Sequence, residues 1–373
     1  MRRIFITYRS FFDMEGENYT VGGIQTYIRQ LAKVIERRDE VPVIVQFSNR
    51  NFKKKYNNID VHGVKVNMSS KEKKKAKILT EFVEELSGND DVIIFATEDL
   101  FVPTSIKHVI AIQHGVGWDI PNTNHFTKRY LLLEVIRKSV GNYLRLKKIR
   151  EIKNIVSVDY NFVNWYRTQV FCNKNAIYPI PNSTKIKKSI PAKEKDIIRI
   201  MFARRFVQVR GTRLFSNVIK VIMEKYGNVY VTFAGEGPDE GYLKKMFNKN
   251  PKVEFIKYKS ENSLEFHQKH HIAVVPTLGS EGTSLSLLEA MASKCAVVAT
   301  NIGGMANILI DNYNGFLINP DELELYEAIQ KLILNERLRE RLSANAYNTV
   351  LEGFNNELWE KKWSRIIDKV VEE

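Results

Sequence analysis

Two glutamates, Glu281 and Glu289, stand with seven residues between them in PTLGSEGTSLSLLEAMA, which begins at Pro276. Pro276 closes an apolar run, Gly279 and Gly282 loosen the loop, and Ser284 suits the N-cap of a helix with Leu285, Leu288 and Ala292 on its inward stripe. The first turn of such a helix offers N–H groups without intrahelical partners and the positive end of the helix dipole, a combination that holds phosphate or pyrophosphate. Two acids beside an anion site suit the hydroxyl-rich groups that flank a diphosphate. Read alone, the stretch is equally compatible with a solvated Glu281 and a Glu289 that simply lies on a helix face.

A second cluster is ARRFVQVRG, with Arg205 and Arg210 between the strand pattern IIRIMFA and a helix starting near Thr212. The carboxyl end of a strand in an open α/β sheet is where ligands collect, and two guanidinium groups there can clamp a diphosphate. Solvated loop arginines are the plain alternative. Gly22 and Gly23 in TVGGIQTYIRQL precede another helix and let backbone amides approach an anion. His114, in IAIQHGVGW, directly follows a strand and faces the same kind of crevice.

Two patterns point elsewhere on first sight. GEGPDEG at Gly235 resembles a dinucleotide fingerprint, but Glu240 occupies the third glycine position. His267, His270 and His271 in HQKHH have zinc-like spacing without a further ligand in sequence, so they are expected to cover an exposed helix face. The chain contains no Asp-x-Asp pair to hold a divalent cation against a diphosphate. No metal and no cofactor are expected.

These residues need a scaffold of alternating strands and helices. IFITY at Ile4, a helix from Ile24 to Arg38, VPVIVQF at Val41, VIIFA at Val92, VIAIQ at Val109 and IVSV at Ile155 predict a first α/β domain with a parallel sheet. A linker follows around Pro179 to Pro191. IIRIMFA at Ile197, VYVTFAG at Val229, VEFI at Val253, IAVVP at Ile272, AVVAT at Ala296 and GFLI at Gly315 predict a second sheet, and Glu357 to Val371 an amphipathic helix with Trp359 and Trp363. The expected division is a Rossmann-like domain over residues 1–185, a second over 186–354, and a C-terminal helix over 355–373 that packs back on the first.

At 373 residues and 44% hydrophobic side chains the chain suits two domains. No apolar run reaches the roughly 18 residues of a spanning helix, and the N-terminus lacks the pattern of a signal peptide. A cytoplasmic location is therefore expected. Two cysteines, Cys172 and Cys295, far apart in sequence, indicate neither disulfide framework nor thiolate metal site. The net charge of +14 is uneven: residues 1–185 carry 30 Lys/Arg against 19 Asp/Glu, and the remainder 27 against 24. Such a field attracts phosphate, whether of nucleic acid, anionic lipid or a small substrate.

Taken in order along the chain, these motifs resemble the retaining glycosyltransferases of family 4. The resemblance rests on Glu281 and Glu289 continued by EAMA, AVVAT, Gly303-Gly304 and NGFLI, on ARRFVQVRG, Gly22-Gly23 and His114, and on IPN at 180–182 and GEGP at 235. It implies a GT-B fold, two Rossmann-like domains facing each other across a cleft. It also implies that Arg205 and Arg210 neutralise a donor diphosphate, that Gly282 and the amides of Thr283, Ser284 and Leu285 contact sugar and phosphate, and that Glu289 takes the ribose hydroxyls. Glu281 would hold a sugar hydroxyl and His114 would contact the sugar near the reacting carbon. Gly22 and Gly23 would close over the phosphate, with Gly235 and Tyr258 completing the donor pocket. His114, Glu281 and Arg205 are the implied catalytic set. The departures are Arg210 where a lysine is usual, Asn307 where an acid is frequent, Lys294-Cys295 in place of a glycine-containing turn, and Ser183 for a glycine.

The implied reaction moves a hexose-type sugar from a nucleotide sugar, with a UDP-sugar favoured and GDP- or dTDP-sugars possible, to a lipid-linked or cell-surface glycan acceptor. From Thr127 to Arg150, TKRYLLLEVIRKSVGNYLRLKKIR holds eight Lys/Arg and one Glu, with Leu132, Ile136, Val140 and Tyr143 at helical spacing. A helix of this kind can lie on anionic lipid, and FKKKY at Phe52 and KEKKKAK at Lys71 add to the same charge. A core helix with a solvated basic face fits the pattern too. Peripheral association with the inner face of the cytoplasmic membrane is the expectation. The readings that remain beside it are a sugar-nucleotide epimerase of the same architecture and a nucleic-acid-binding protein using the basic half, although no nucleic-acid reading module is recognisable.

Overall fold

The computed structural model describes residues 1–20, 22–115, 131–169, 175–187, 189–258, 262–279 and 281–373, without the side chains of 131–134. Cys172, Lys259 and the start of the basic pattern, Thr127–Tyr130, lie outside the described residues. The chain divides into two compact units: Met1–His114 with Phe126–Ile180 and Trp359–Glu373, and Gly115–His125 with Pro181–Leu358.

The first unit contains β1 (Arg3–Tyr8), α1 (Gly23–Glu36), β2 (Val41–Ser48), β3 (Phe52–Tyr56), β4 (Ile59–Lys65), α2 (Glu72–Leu86), β5 (Val92–Phe95), β6 (His108–Gln113), α3 (Leu131–Arg150), β7 (Asn154–Ser157), α4 (Tyr160–Arg167) and β8 (Ala176–Pro179). Its eight-stranded sheet runs β3-β4-β2-β1-β5-β6-β7-β8, parallel throughout except for the β3–β4 hairpin. The central strands are continuous runs of Val, Ile and Phe because helices cover both of their faces. FKKKY, read above only as a basic run, is the edge strand β3. Lys53, Lys54 and Lys55 are exposed there, where charge blunts pairing with a foreign strand.

The second unit contains β9 (Ile198–Ala203), α5 (Thr212–Lys225), β10 (Val229–Ala234), α6 (Glu240–Met246), β11 (Val253–Ile256), α7 (Ser263–His267), β12 (Ile272–Val275), α8 (Leu285–Ala292), β13 (Ala296–Thr300), β14 (Phe316–Ile318), α9 (Glu322–Leu334) and α10 (Glu336–Gly353). Its six strands are parallel in the order β11-β10-β9-β12-β13-β14. The order reverses between β9 and β12, so the loops after these two strands flank the topological switch point.

The last helix, α11 (Asn356–Glu372), returns to the first unit from Trp359 onward. Trp359, Trp363, Ile366, Ile367 and Val370 join the core made by β1, α1 and the central strands, and the Trp363 indole donates to the Tyr27 hydroxyl at 3.0 Å. The second unit starts at Pro181 rather than after Lys185. The Thr184 amide donates to the Phe354 carbonyl at 3.0 Å and the Ser183 hydroxyl to Asn356 at 3.0 Å, which ties this stretch to the end of α10.

His267, His270 and His271 are buried rather than spread on an exposed face. Their rings serve the backbone and a hydroxyl: His267 Nδ1 meets the Ser263 carbonyl at 2.7 Å, His270 Nε2 the Thr232 hydroxyl at 3.0 Å, and His271 Nε2 the Glu194 carbonyl at 2.8 Å. Burial holds His267 near 4 and His270 near 3, so these rings are neutral at physiological pH. Among the described residues, no group of His, Cys, Asp and Glu could hold a metal ion.

Candidate active site

In the second unit, β12 ends at Val275 and the chain runs through Pro276 and Thr277 to Glu281 before Ser284 caps α8, its hydroxyl accepting from the Leu287 amide. On the neighbouring strand β9 the chain bends at Arg204. Arg204 then donates to Glu281 Oε2 and to the Thr277 hydroxyl. Arg210, at the end of the following 3-10 turn, donates to the same Oε2. The Thr277 hydroxyl completes the set, donating to Oε2 at 3.1 Å.

Charge explains why these groups stay together. The Arg204 side chain is 6% exposed and that of Glu281 11%. Burial acts to raise the Glu281 carboxyl, but the guanidinium groups of Arg204 and Arg210 more than reverse this and hold it below its ordinary value. Glu281 is therefore a carboxylate at neutral pH, pinned through one oxygen.

Arg205, the residue singled out in the sequence, is not in this cluster. It is exposed, and the adjacent Arg204 is the one that donates to Glu281. Neither composition nor hydropathy distinguishes two neighbouring arginines. The bend that ends β9 decides which of them faces β12. Arg210, six positions beyond Arg204, reaches the same carboxylate oxygen.

Glu289 lies just over one turn into α8, partly buried beside Tyr258 and hydrogen-bonded with the Ser263 side chain. Burial pushes its carboxyl up to about 7, opposed by the Ser263 bond. Tyr258 stacks on Phe266 at 4.7 Å, and its hydroxyl is raised by burial and then by the charge of Glu289. The two acids thus have opposite environments.

Two glycines let the loops close on one another. A Cβ on Gly235, whose φ is +151°, would lie 2.1 Å from the Arg204 carbonyl oxygen. A Cβ on Gly304 would lie 2.5 Å from the Gly282 carbonyl carbon, and the Gly304 amide donates to the Glu281 carbonyl at 2.9 Å. Asn182 supports the loop from another side, its Nδ2 donating to the Thr283 carbonyl at 2.6 Å. Gly282, Thr283, Ser284 and Leu285 therefore form a braced entry to the α8 N-terminus. The structure brings Arg204, Arg210, Gly235, Glu281–Leu285, Tyr258 and Glu289 to the carboxyl ends of β9–β12 and to α8.

His114, Gly22 and Gly23 belong to the first unit. His114 follows β6, meets the Tyr27 ring edge-on at 4.9 Å and hydrogen-bonds with the Ala96 backbone. Burial pushes it down to about 4, leaving a neutral imidazole, and its buried Nε2 has no hydrogen-bond partner among the described residues. Gly22, which has no side chain to cap the amides, is the N-cap of α1, and Gly23 is its first residue. Gln25 fastens the turn, its amide donating to the Ser10 carbonyl at 3.2 Å and the Thr20 hydroxyl at 3.0 Å.

Two α/β units with mostly parallel sheets, with an acid–arginine cluster and a helix N-terminus at the switch point of the second, define the GT-B architecture of two Rossmann-like domains. Residues 182–349 match the family described as glycosyl transferases group 1. An uncharacterized glycosyltransferase of Methanocaldococcus jannaschii is 26% identical over 71% of this chain and 69% of its own. The capsular polysaccharide biosynthesis glycosyltransferase CapM of Staphylococcus aureus is 26% identical over 48% of each. Among solved structures, a mutant of S. aureus TarM in complex with fondaparinux, α-GlcNAc-glycerol and UDP superposes with a TM-score of 0.73 at 15% identity, covering 99% of this chain and 100% of that one. The family match lies within the second unit, which in this respect is similar to the group 1 glycosyltransferases.

Proposed function

We propose that the protein is a retaining glycosyltransferase that moves a hexose-type sugar from a nucleotide sugar, most favourably a UDP-sugar, to a hydroxyl of a lipid-linked or cell-surface glycan. One observation carries this reading: Glu281 held by Arg204 and Arg210 directly before the N-terminus of α8. Arg204 and Arg210, with the first-turn amides of α8, would take the charge of the departing nucleoside diphosphate, in a position where fixed donors stabilise developing negative charge. Glu289 would accept from the ribose hydroxyls. Glu281 would accept from a sugar hydroxyl, and the neutral His114 would contact the sugar near its reacting carbon. The acceptor oxygen bonds to the anomeric carbon on the face from which the diphosphate leaves, the carbon–phosphate-oxygen bond breaks, and the acceptor proton departs with the diphosphate. The diphosphate charge is assigned to arginines rather than to a metal.

UDP in the TarM complex and the capsule role in the name of CapM support the donor and acceptor classes. Association with an anionic membrane belongs to the same proposal. Among the described residues no helix is long and apolar enough to cross a membrane. Ile136, Val140 and Tyr143 of α3, with Val135 and Leu144, are about half exposed rather than packed in the core, while Leu146 and Ile149 are buried. An apolar stripe beside the cations of this helix suits an anionic lipid surface.

The test of the reaction is proton NMR of product formed from a nucleotide-sugar panel and glycan acceptors. A product with the donor's anomeric configuration agrees with the proposal. Inversion, or a changed sugar nucleotide without acceptor, overturns it, the latter in favour of an epimerase.

A further inference from the structure

Thr277 is the second residue beyond β12, and its side chain is completely buried. Its backbone is fixed twice. The Thr277 amide donates to the Val275 carbonyl at 3.0 Å, and the Thr300 hydroxyl at the end of β13 donates to the Thr277 carbonyl at 2.5 Å. Its own hydroxyl has one proton and one defined direction for it. Arg204 can only donate and the Glu281 carboxylate can only accept, so the hydroxyl accepts from Arg204 and donates to Glu281 Oε2.

Oε2 therefore receives Arg204, Arg210 and Thr277, while Oε1 has no partner among the described residues. The arginines alone would not fix this arrangement. Both are long side chains, Arg210 is 31% exposed, and a carboxylate can present either oxygen to a guanidinium. Thr277 is short, buried and anchored by two strands, so it supplies the fixed point about which Glu281 is oriented.

We propose that Thr277 is a positioning residue for the transfer reaction, its hydroxyl clamping Glu281 Oε2 against Arg204 so that Oε1 is presented to the donor sugar. This rests on the glycosyltransferase reading given above and adds a residue to its machinery. The methyl group contributes packing; the hydroxyl contributes direction.

The experiment compares Thr277→Val, which keeps the shape and removes the hydroxyl, with Thr277→Ser, which keeps the hydroxyl and removes the methyl. The readouts are hydrolysis of the UDP-sugar that the wild type turns over, UDP affinity by calorimetry, and crystal structures of both variants. Thr277→Val is expected to lower kcat by a factor on the order of 10 to 100, the cost of misplacing a group near the reacting centre, with UDP affinity within about threefold. Thr277→Ser is expected to restore most of kcat. In the Thr277→Val crystal, Glu281 should have turned away from Arg204. Wild-type kcat in Thr277→Val, equal loss in Thr277→Ser, or an unmoved Glu281 in the Val variant overturns the proposal. The crystal comparison decides the matter even if no nucleotide sugar is turned over, an outcome that would count against the glycosyltransferase reading instead.

Discussion

Arg204 and Glu281 meet across the ends of two adjacent strands, the guanidinium of one on Oε2 of the other, at the switch point of the second sheet. Removing the arginine leaves a mostly buried carboxylate with Arg210 and a hydroxyl. Arg204→Ala is accordingly expected to lower turnover by about 100-fold or more, on the scale of losing one preorganised donor at an anion site. Arg205→Ala, a change at an exposed side chain, should stay within about threefold. Steady-state kinetics on the two variants separates the neighbours.

Glu289 carries a pH signature. Its carboxyl is raised to about 7 by burial, above its ordinary 4.5, so the native state binds a proton that the unfolded chain releases at lower pH. Stability from this group is fully present below pH 4.5 and is lost as the pH rises through about 7, by about 3 kcal/mol at most. Glu289→Gln should therefore melt higher than wild type at pH 8 and close to it at pH 4.5. Differential scanning calorimetry at the two values checks this.

The same residue should make donor binding depend on pH. Ribose hydroxyls donate best to the ionised carboxylate, so the affinity for UDP should rise from pH 6 to 8 more steeply in the wild type than in Glu289→Gln. The comparison removes the titration of the nucleotide itself. Identical slopes in calorimetric titrations would remove Glu289 from the ribose site.

Gly304→Ala tests the brace under the acid loop. The new Cβ would lie 2.5 Å from the Gly282 carbonyl carbon, closer than atoms in contact can approach, so the Glu281–Thr283 segment must shift. UDP affinity should fall by about tenfold or more, with a stability loss of about 1–3 kcal/mol. Urea unfolding and calorimetry measure the two effects.

In the first unit, Trp363 is fully buried and its indole bonds to Tyr27. Trp363→Ala should cost about 3–5 kcal/mol. Its unfolding should show in urea titrations followed by the remaining tryptophans. A loss below about 1 kcal/mol would mean that α11 contributes little to that core.

Much of this was legible in the sequence because the chemistry uses buried, regularly spaced positions. The apolar runs at Ile4, Val41, Val92, Ile197 and Ala296 appear as parallel strands, since helices on both faces leave no polar alternation to obscure them. Ser284 is readable as a cap and Glu281 as its neighbour. The structure adds what the letters lack where one residue's direction depends on a bend or a partner element. Arg204 and Arg205 are interchangeable as letters. The HQKHH histidines look solvated until carbonyls of other segments, such as Glu194, are seen to satisfy them. FKKKY lacks apolar alternation and takes its strand form from pairing with β4. Thr277 carried no signal at all, because its role is defined by the two groups it touches.

The most direct test of the donor site is calorimetric titration of UDP and UDP-sugars into wild-type protein and Arg204→Ala at pH 8. Saturable binding to the wild type by at least one of these ligands is expected, with at least tenfold weaker binding to the variant. Equal affinity in the two proteins, or no binding to the wild type by any of them, would contradict it.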